Sequence, residues 1–223
     1  MKQITLNGEF TLKGKGLHTG RNIEATFCPA PDNHGYKIQR TDVEGQPVID
    51  ALAENVISTN RGTVIDKGDV TVSTIEHAMS ALYALGVDNC LIKLDGPEMP
   101  ILDGSAKPFY DSILAVGMVE QTQDKDFYYV KHKIEVVAPE TGSKLMCLPD
   151  DEFSLDVKVN FDSEVLANQY ATLDHMFDFG KEIAAARTFV FVREIEHLLH
   201  AGLIRGGDLE NAIVIYEHPK TQE

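Results

Sequence analysis

The first fifty residues alternate apolar and polar positions over short segments, the period of two that is typical of half-buried β-strands. These segments are "QITLNGEFTLKG", "IEATFCPAP", "YKIQRTD" and "GQPVID", and Gly, Pro and Asn residues separate them. Short strands interrupted so often by turn residues favour antiparallel pairing.

A helical period replaces this alternation twice before residue 118. Apolar residues at helical spacing predict one helix over about 75–85, followed by Gly86 at the left-handed position after its end. A second helix is predicted over about 108–116, followed by Gly117. The buried strand "DNCLIKLDG" and the Pro- and Gly-rich loop "GPEMPILDGSAKP" lie between the two helices.

The pattern then starts again after the polar segment "EQTQDKD" (120–126), which is the predicted linker. Strands are expected near "FYYVKHKIEVVA", "SKLMCLPD", "FSLDVKVNF" and "NQYATLD", helices near "KEIAAAR" and "FVREIEHLLHAG", and a last strand near "NAIVIYE". The sequence therefore predicts an α+β fold of two similar two-layer domains, residues 1–122 and 127–223, each a mostly antiparallel sheet packed on helices.

Composition narrows the classes of function. The 223 residues carry a formal net charge of -15, which disfavours binding to nucleic acid or to an anionic membrane surface. No apolar run approaches the roughly 20 residues of a spanning helix, so no stable membrane insertion is expected. Three widely spaced cysteines suggest neither a disulfide framework nor a thiolate metal site, and a cytoplasmic location is predicted.

The adjacent Glu76 and His77 at the start of the first predicted helix allow two interpretations. Ser73 and Glu76 have the spacing of a capping box, in which each side chain accepts a backbone N–H at the helix start. Alternatively, His77 binds a metal and Glu76 acts as general base on a metal-activated water. Spacing alone favours the capping box.

Four ordered motifs change that balance: "GKGLHTG" (14–20), "STIEHAMSALYALGVDN" (73–89), "GPEMPILDGSAKPF" (96–109) and "ARTFVFVREIEHLLHAGLIRGG" (186–207). In this order and at these separations they closely resemble the zinc-dependent UDP-3-O-acyl-N-acetylglucosamine deacetylases of lipid A biosynthesis. The resemblance covers nearly the whole chain. It implies two α+β domains with the active site between them, and hydrolysis of the acetamide of a UDP-sugar with release of acetate.

The resemblance also implies roles for individual residues. His77 corresponds to one of three ligands of a catalytic Zn²⁺, Glu76 to the general base that activates the zinc-bound water, and Thr188 to a hydroxyl donor for the oxyanion. The alternative for Thr188 is the N-cap of the helix that follows it. His18 resembles a residue at the site entrance, or is a surface turn histidine. Asp103 is either a carboxylate behind the metal ligands or an Asx-turn residue before Gly104.

Substrate contacts are implied on the same grounds. The apolar segment at about 187–207, with Phe189, Phe191 and Leu203, resembles the family insert that forms a passage for the 3-hydroxyacyl chain, and ordinary core packing is the alternative. Lys144 and Phe161 align loosely with positions that contact the nucleotide portion of the substrate.

The sequence departs from the family in one respect. The other two zinc ligands come from a helix that contains His-Lys-x-x-Asp, and a general-acid His follows it. None of the eight histidines here has Asp or Glu four residues later. We therefore expect a C-terminally truncated second domain, zinc that is weakly bound or absent, little or no activity of this chain alone, and self-association through an exposed apolar face.

Two rival functions follow from this departure. The first is a non-catalytic UDP-sugar- or acyl-binding protein of the same fold, and the second is a structural α+β module in which Glu76 only caps a helix. Some members of the family are fused to a 3-hydroxyacyl-carrier-protein dehydratase, and no part of these residues resembles that enzyme.

Overall fold

The computed structural model describes residues 1–217. The strands up to Asp124 are β1 (Lys2–Leu6), β2 (Phe10–Lys15), β3 (Asn22–Pro29), β4 (Tyr36–Arg40), β5 (Val48–Asp50), β6 (Val56–Ser58), β7 (Val64–Lys67), β8 (Val70–Ser73), β9 (Cys90–Leu94) and β10 (Met118–Asp124). The later strands are β11 (Ile134–Ala138), β12 (Ser143–Cys147), β13 (Leu155–Asn160), β14 (Asn168–Leu173), β15 (Phe189–Phe191) and β16 (Ile213–Ile215). The α-helices in this range are α1 (Glu76–Ala84), α2 (Lys107–Val116), α3 (Phe179–Glu182) and α4 (Val192–His200).

A five-stranded sheet in the order β2-β3-β9-β4-β5 forms the framework of the first half. Its pairs are antiparallel except β4 with β9, which run parallel. The main core joins this sheet to α1 and α2, and the rings of Phe27 in β3 and Phe109 in α2 lie 5.9 Å apart. Helix α1 buries Ala78, Ala81 and Leu82 in this core. Its first two residues, Glu76 and His77, are half-buried.

The second half consists of smaller sheets. β11 pairs with β12 and β13 with β14 as antiparallel hairpins, whereas β15 and β16 are parallel. A second cluster of buried residues joins this half to α2, where the rings of Tyr110 and Phe179 are 5.9 Å apart. Gly180 lies against Tyr110, and a Cβ atom there would be 2.6 Å from the tyrosine ring, so a side chain at this position would displace the end of Tyr110.

The predicted α+β class, with mostly antiparallel sheets, is confirmed. Gly86, at a φ of 70°, follows α1 as predicted. The polar segment 120–126 was predicted to be a linker, but most of it is strand, because β10 extends to Asp124 and pairs with β1. The domain division at 122–127 stays a prediction. Of the helix expected near "KEIAAAR", only Lys181 and Glu182 are helical, at the end of α3.

None of the helices within residues 1–217 has the length and apolar composition needed to cross a bilayer. The cytoplasmic location stays a prediction. The last residues of the sequence, 218–223, lie outside the described part.

Candidate active site

The Glu76 carboxylate is held by a loop from another part of the chain. Its Oε2 accepts the backbone N–H of Thr63 at 3.0 Å. Ser73 instead belongs to β8, and its backbone N–H and its hydroxyl both donate to the carbonyl of Pro97. The predicted capping box is therefore wrong, because Thr74, at a φ of 60°, separates Ser73 from the helix that Glu76 begins.

His77 is half-buried beside two carboxylates. Burial lowers the pKa of the imidazole, and the charges of Glu76 and Asp103 partly offset that shift. The neutral ring is therefore favoured near pH 7, and a neutral imidazole is the form that binds a metal or accepts a hydrogen bond.

Asp103 forms the Asx turn that was one of its two interpretations. Its Oδ1 accepts the N–H of Ser105 at 3.0 Å and the Ser105 hydroxyl at 2.8 Å. The same carboxylate acts electrostatically on His77, so the turn places a negative charge next to that ring. The Asx turn therefore does not exclude the proposed supporting role, which stays a prediction.

Thr188 is fixed through its backbone between the loop at Asp103 and strand β16. Its N–H donates to the carbonyl of Gly104 at 2.8 Å, and its carbonyl accepts the N–H of Ile213 at 2.9 Å. The alternative role as a helix N-cap is wrong, because β15 intervenes and Phe191 is the N-cap of α4. Gly104 has a φ of 84°, and a Cβ atom there would lie 2.0 Å from the carbonyl oxygen of Asn211, so this contact requires glycine.

His18 lies in a turn, but it is not a free surface histidine. Its Nε2 lies 3.1 Å from the carbonyl oxygen of Arg61, and its Nδ1 accepts the N–H of Ile204 at 3.4 Å. The fully buried Glu98 carboxylate accepts the backbone N–H groups of His18 and Thr19, each at 2.8 Å. The turn is therefore tied to three other segments of the chain.

Two neighbouring cavities lie around these residues. The larger one, of about 670 Å³, has mixed polar and aromatic walls and includes His77, Phe161, Thr188, Phe189 and Phe191. The smaller one, of about 230 Å³, is mostly apolar. Its walls are formed by Leu17, His18, Arg61, Thr188, Phe189, Val190, Ile195, Leu198, Leu199, Ile204, Gly207, Asp208, Leu209, Ala212 and Val214.

The aromatic residues of the two cavities form a connected group. The ring of Phe161 meets that of Phe189 edge-on at 5.1 Å, and the rings of Phe189 and Phe191 are 5.7 Å apart. The structure thus brings Phe161, which precedes Phe189 by 28 positions, to the same cavity as the predicted passage residues.

Two predicted contact residues lie outside these walls. Leu203 follows the end of α4, where its N–H donates to the carbonyl of Leu198, and the next residue, Ile204, lines the smaller cavity instead. Lys144 lies exposed in β12 and pairs with Glu135 at 3.2 Å, a pairing that the β11–β12 hairpin imposes. It lines neither cavity.

The described residues do not by themselves form a complete zinc site. A catalytic zinc site normally has three protein ligands. Within residues 1–217, no group of three or more His, Cys, Asp or Glu side chains is arranged to hold a metal ion. Among these residues, His77 stays the one predicted metal ligand.

Sequence reasoning missed three side chains of this region. Glu98 had a detectable signal, since a carboxylate in the otherwise apolar "GPEMPIL" is unusual. Arg61 and Glu194 had none, because the pair that they form joins positions 133 residues apart.

The chain is similar to known enzymes over its whole length. The bifunctional enzyme LpxC/FabZ of Porphyromonas gingivalis is 62% identical over 222 residues, and the enzyme of the same name from Bacteroides thetaiotaomicron is 61% identical over 223. Both alignments cover 100% of this chain and 48% of the relative. The UDP-3-O-acyl-N-acetylglucosamine deacetylase of Myxococcus xanthus is 41% identical over 96% of this chain and 68% of its own length.

The chain thus spans about half the length of the first two relatives. The family model for UDP-3-O-acyl N-acetylglycosamine deacetylase, LpxC, matches residues 3–222. Because that match covers nearly every residue, the chain belongs to the UDP-3-O-acyl N-acetylglycosamine deacetylase family.

Proposed function

We propose that this chain supplies the general base, the oxyanion donor and the acyl-binding surface of a deacetylase. The substrate is UDP-3-O-(3-hydroxyacyl)-N-acetylglucosamine, and loss of its acetyl group as acetate is the committed step of lipid A biosynthesis. The observation that carries the proposal is that Thr188 lines both the cavity of mixed polar and aromatic walls that includes His77 and an adjoining apolar cavity. Such a pair of cavities suits a polar sugar that bears an acyl chain.

The roles of the residues follow from their surroundings. Glu76 is held by the Thr63 N–H and accepts the proton of the attacking water. The Thr188 hydroxyl donates to the carbonyl oxygen of the acetamide as negative charge develops on it. His18, Phe189 and Phe191 contact the acyl chain, and Phe161 contacts the nucleotide portion. Lys144 and Leu203 keep their proposed contacts only if substrate binding moves them.

The metal enters only through its single candidate ligand. We propose His77 as one of three ligands of Zn²⁺, with Asp103 as a charge that supports it. The described residues 1–217 contain no group of three such ligands, and we propose that the remaining ligands come from outside them.

The same absence of a complete ligand group favours one alternative, a UDP-sugar- or acyl-binding protein without catalysis. The structural-module alternative depended on Glu76 as a helix cap, and Glu76 does not cap its helix.

Acetate release separates the two remaining functions. The protein is expressed together with any coding sequence that follows the Glu223 codon and is supplied with the UDP-sugar substrate. The deacetylase proposal predicts acetate release that a chelator abolishes and added Zn²⁺ restores. Substrate binding without acetate release, unchanged by the chelator, would establish the binding protein instead.

A further inference from the structure

Arg61 joins the first half of the chain to helix α4. It lies between β6 and β7 in the left-handed region, at a φ of 62°. Its guanidinium donates to both carboxylate oxygens of Glu194, at 2.8 and 3.4 Å. This contact lowers the pKa of Glu194, so the pair is ionised at neutral pH.

Arg61 also lies at the boundary of the two cavities. Only three residues, Arg61, Thr188 and Phe189, line both the apolar and the polar cavity in the described part of the chain. Thr188 is fixed by its backbone, and Phe189 belongs to a strand. Of the three, Arg61 is the long, flexible side chain on an irregular segment, and it is the one that can move aside.

The segment around Arg61 contacts His18 and the proposed base. The Arg61 carbonyl lies 3.1 Å from His18 Nε2, and the Thr63 N–H donates to Glu76. Between them, a Cβ atom on Gly62 would lie 3.5 Å from Glu76 Oε1. The backbone of residues 61–63 therefore lies between His18 and the proposed base.

We infer that Arg61 is a specificity-determining residue of the proposed deacetylase. Paired with Glu194, it closes the boundary between the two cavities, and an acyl chain that extends into the apolar cavity must displace the pair. The side chains of Arg61 and Glu194 are 42% and 27% exposed, and ion pairs with such access to water are weak. A long acyl chain can therefore open the boundary, whereas a short chain leaves it closed.

The inference rests on the proposed function and is tested with substrates of two acyl lengths. The quantity measured is the ratio of kcat/KM for the long-chain substrate to kcat/KM for the short-chain one. Arg61→Ala and Glu194→Gln should each raise this ratio about two- to fivefold, the range expected for a partly exposed ion pair. The double variant should show no higher ratio than either single variant, because both changes remove the same ion pair.

The matched control is Lys13→Ala, which breaks the exposed pair of Lys13 with Glu24, 2.6 Å apart on β2 and β3. Its ratio should equal that of the unmodified protein. An unchanged ratio in Arg61→Ala and Glu194→Gln, or equal losses of kcat/KM for both lengths, would overturn the inference.

A second measurement separates this inference from the proposed function. If the unmodified protein releases no acetate from either substrate, the proposed function fails. The affinities of a short and a long 3-hydroxy fatty acid, measured by calorimetry, then replace kcat/KM. Arg61→Ala must still favour the long acid by a similar factor, and equal affinity changes for both acids would refute the role of Arg61.

Discussion

At the scale of single residues, Thr188 carries the most specific chemical prediction. Thr188→Val removes the hydroxyl and keeps the branched shape and both backbone hydrogen bonds. Loss of one oxyanion donor should lower kcat about 10²- to 10³-fold. Steady-state kinetics of acetate release measures this.

The control for Thr188→Val is Thr11→Val, on the exposed face of β2. That change removes only the hydrogen bond between the hydroxyls of Thr11 and Thr26. That variant should keep the kcat of the unmodified protein. If Thr188→Val also keeps it, the hydroxyl is not the oxyanion donor.

Individual site residues differed in how far the sequence could locate them. Glu76, His77 and Thr188 could be proposed from the sequence because each lies inside a contiguous motif, and their roles stay predictions. Arg61 and Glu194 could not be, because their ion pair forms only when residues far apart in the chain meet. Lys144 had only a weak local motif, and its hairpin partner Glu135 accounts for where it lies.

At the scale of elements, the Ser73-x-x-Glu76 spacing shows what a local pattern leaves open. The spacing fits a capping box, yet Ser73 pairs with the loop at Pro97 and Glu76 with Thr63. A sequence pattern identifies which groups can bond, and tertiary contacts decide which of them do.

The three-stranded sheet β6-β7-β8 was missed for a related reason. Its strands have only three or four residues each and are separated by turn residues. No alternation of apolar and polar positions is therefore long enough to detect. The segment "KEIAAAR" is helical only to Glu182; beyond it the chain buries Ala184 in the second cluster, and Arg187 donates to three backbone carbonyls. These contacts outweigh the helix propensity of alanine.

Glu98 is the residue on which several elements depend. Its buried carboxylate accepts the N–H groups of His18 and Thr19 and the hydroxyl of Thr74, just before α1. Glu98→Ala should lower the free energy of unfolding by about 1–3 kcal/mol for each donor left unsatisfied. Urea unfolding measures the loss.

Glu44→Ala, at an exposed position, is the control for Glu98 and should change the free energy of unfolding little. A Glu98→Ala protein as stable as this control would show that water replaces the carboxylate, and that Glu98 does not hold the turn.

At the scale of the whole molecule, the β11–β12 hairpin exposes apolar residues. Val136 and Leu145 are opposite each other in its register and are 60% and 66% exposed. Exposed apolar patches favour association. We predict that a protein of these 223 residues self-associates with rising concentration, which sedimentation velocity measures.

Replacing both Val136 and Leu145 with Glu should shift this protein toward the monomer, since it adds like charges to a chain of net charge -15. The matched control replaces Leu52 and Leu114, which are 51% and 49% exposed elsewhere, with Glu. A protein that remains monomeric at every concentration, or equal effects of the two double variants, would contradict association through this hairpin.

The central claim is that the carboxylate of Glu76 acts as the base of an amide hydrolase. Its most direct test is kcat for acetate release by Glu76→Gln, in the protein expressed with any coding sequence after Glu223. Glutamine still accepts the Thr63 N–H, so the fold should be retained while the base is lost. The account predicts a fall in kcat of about 10²- to 10⁴-fold with KM little changed. A Glu76→Gln protein with the kcat of the unmodified one would contradict it.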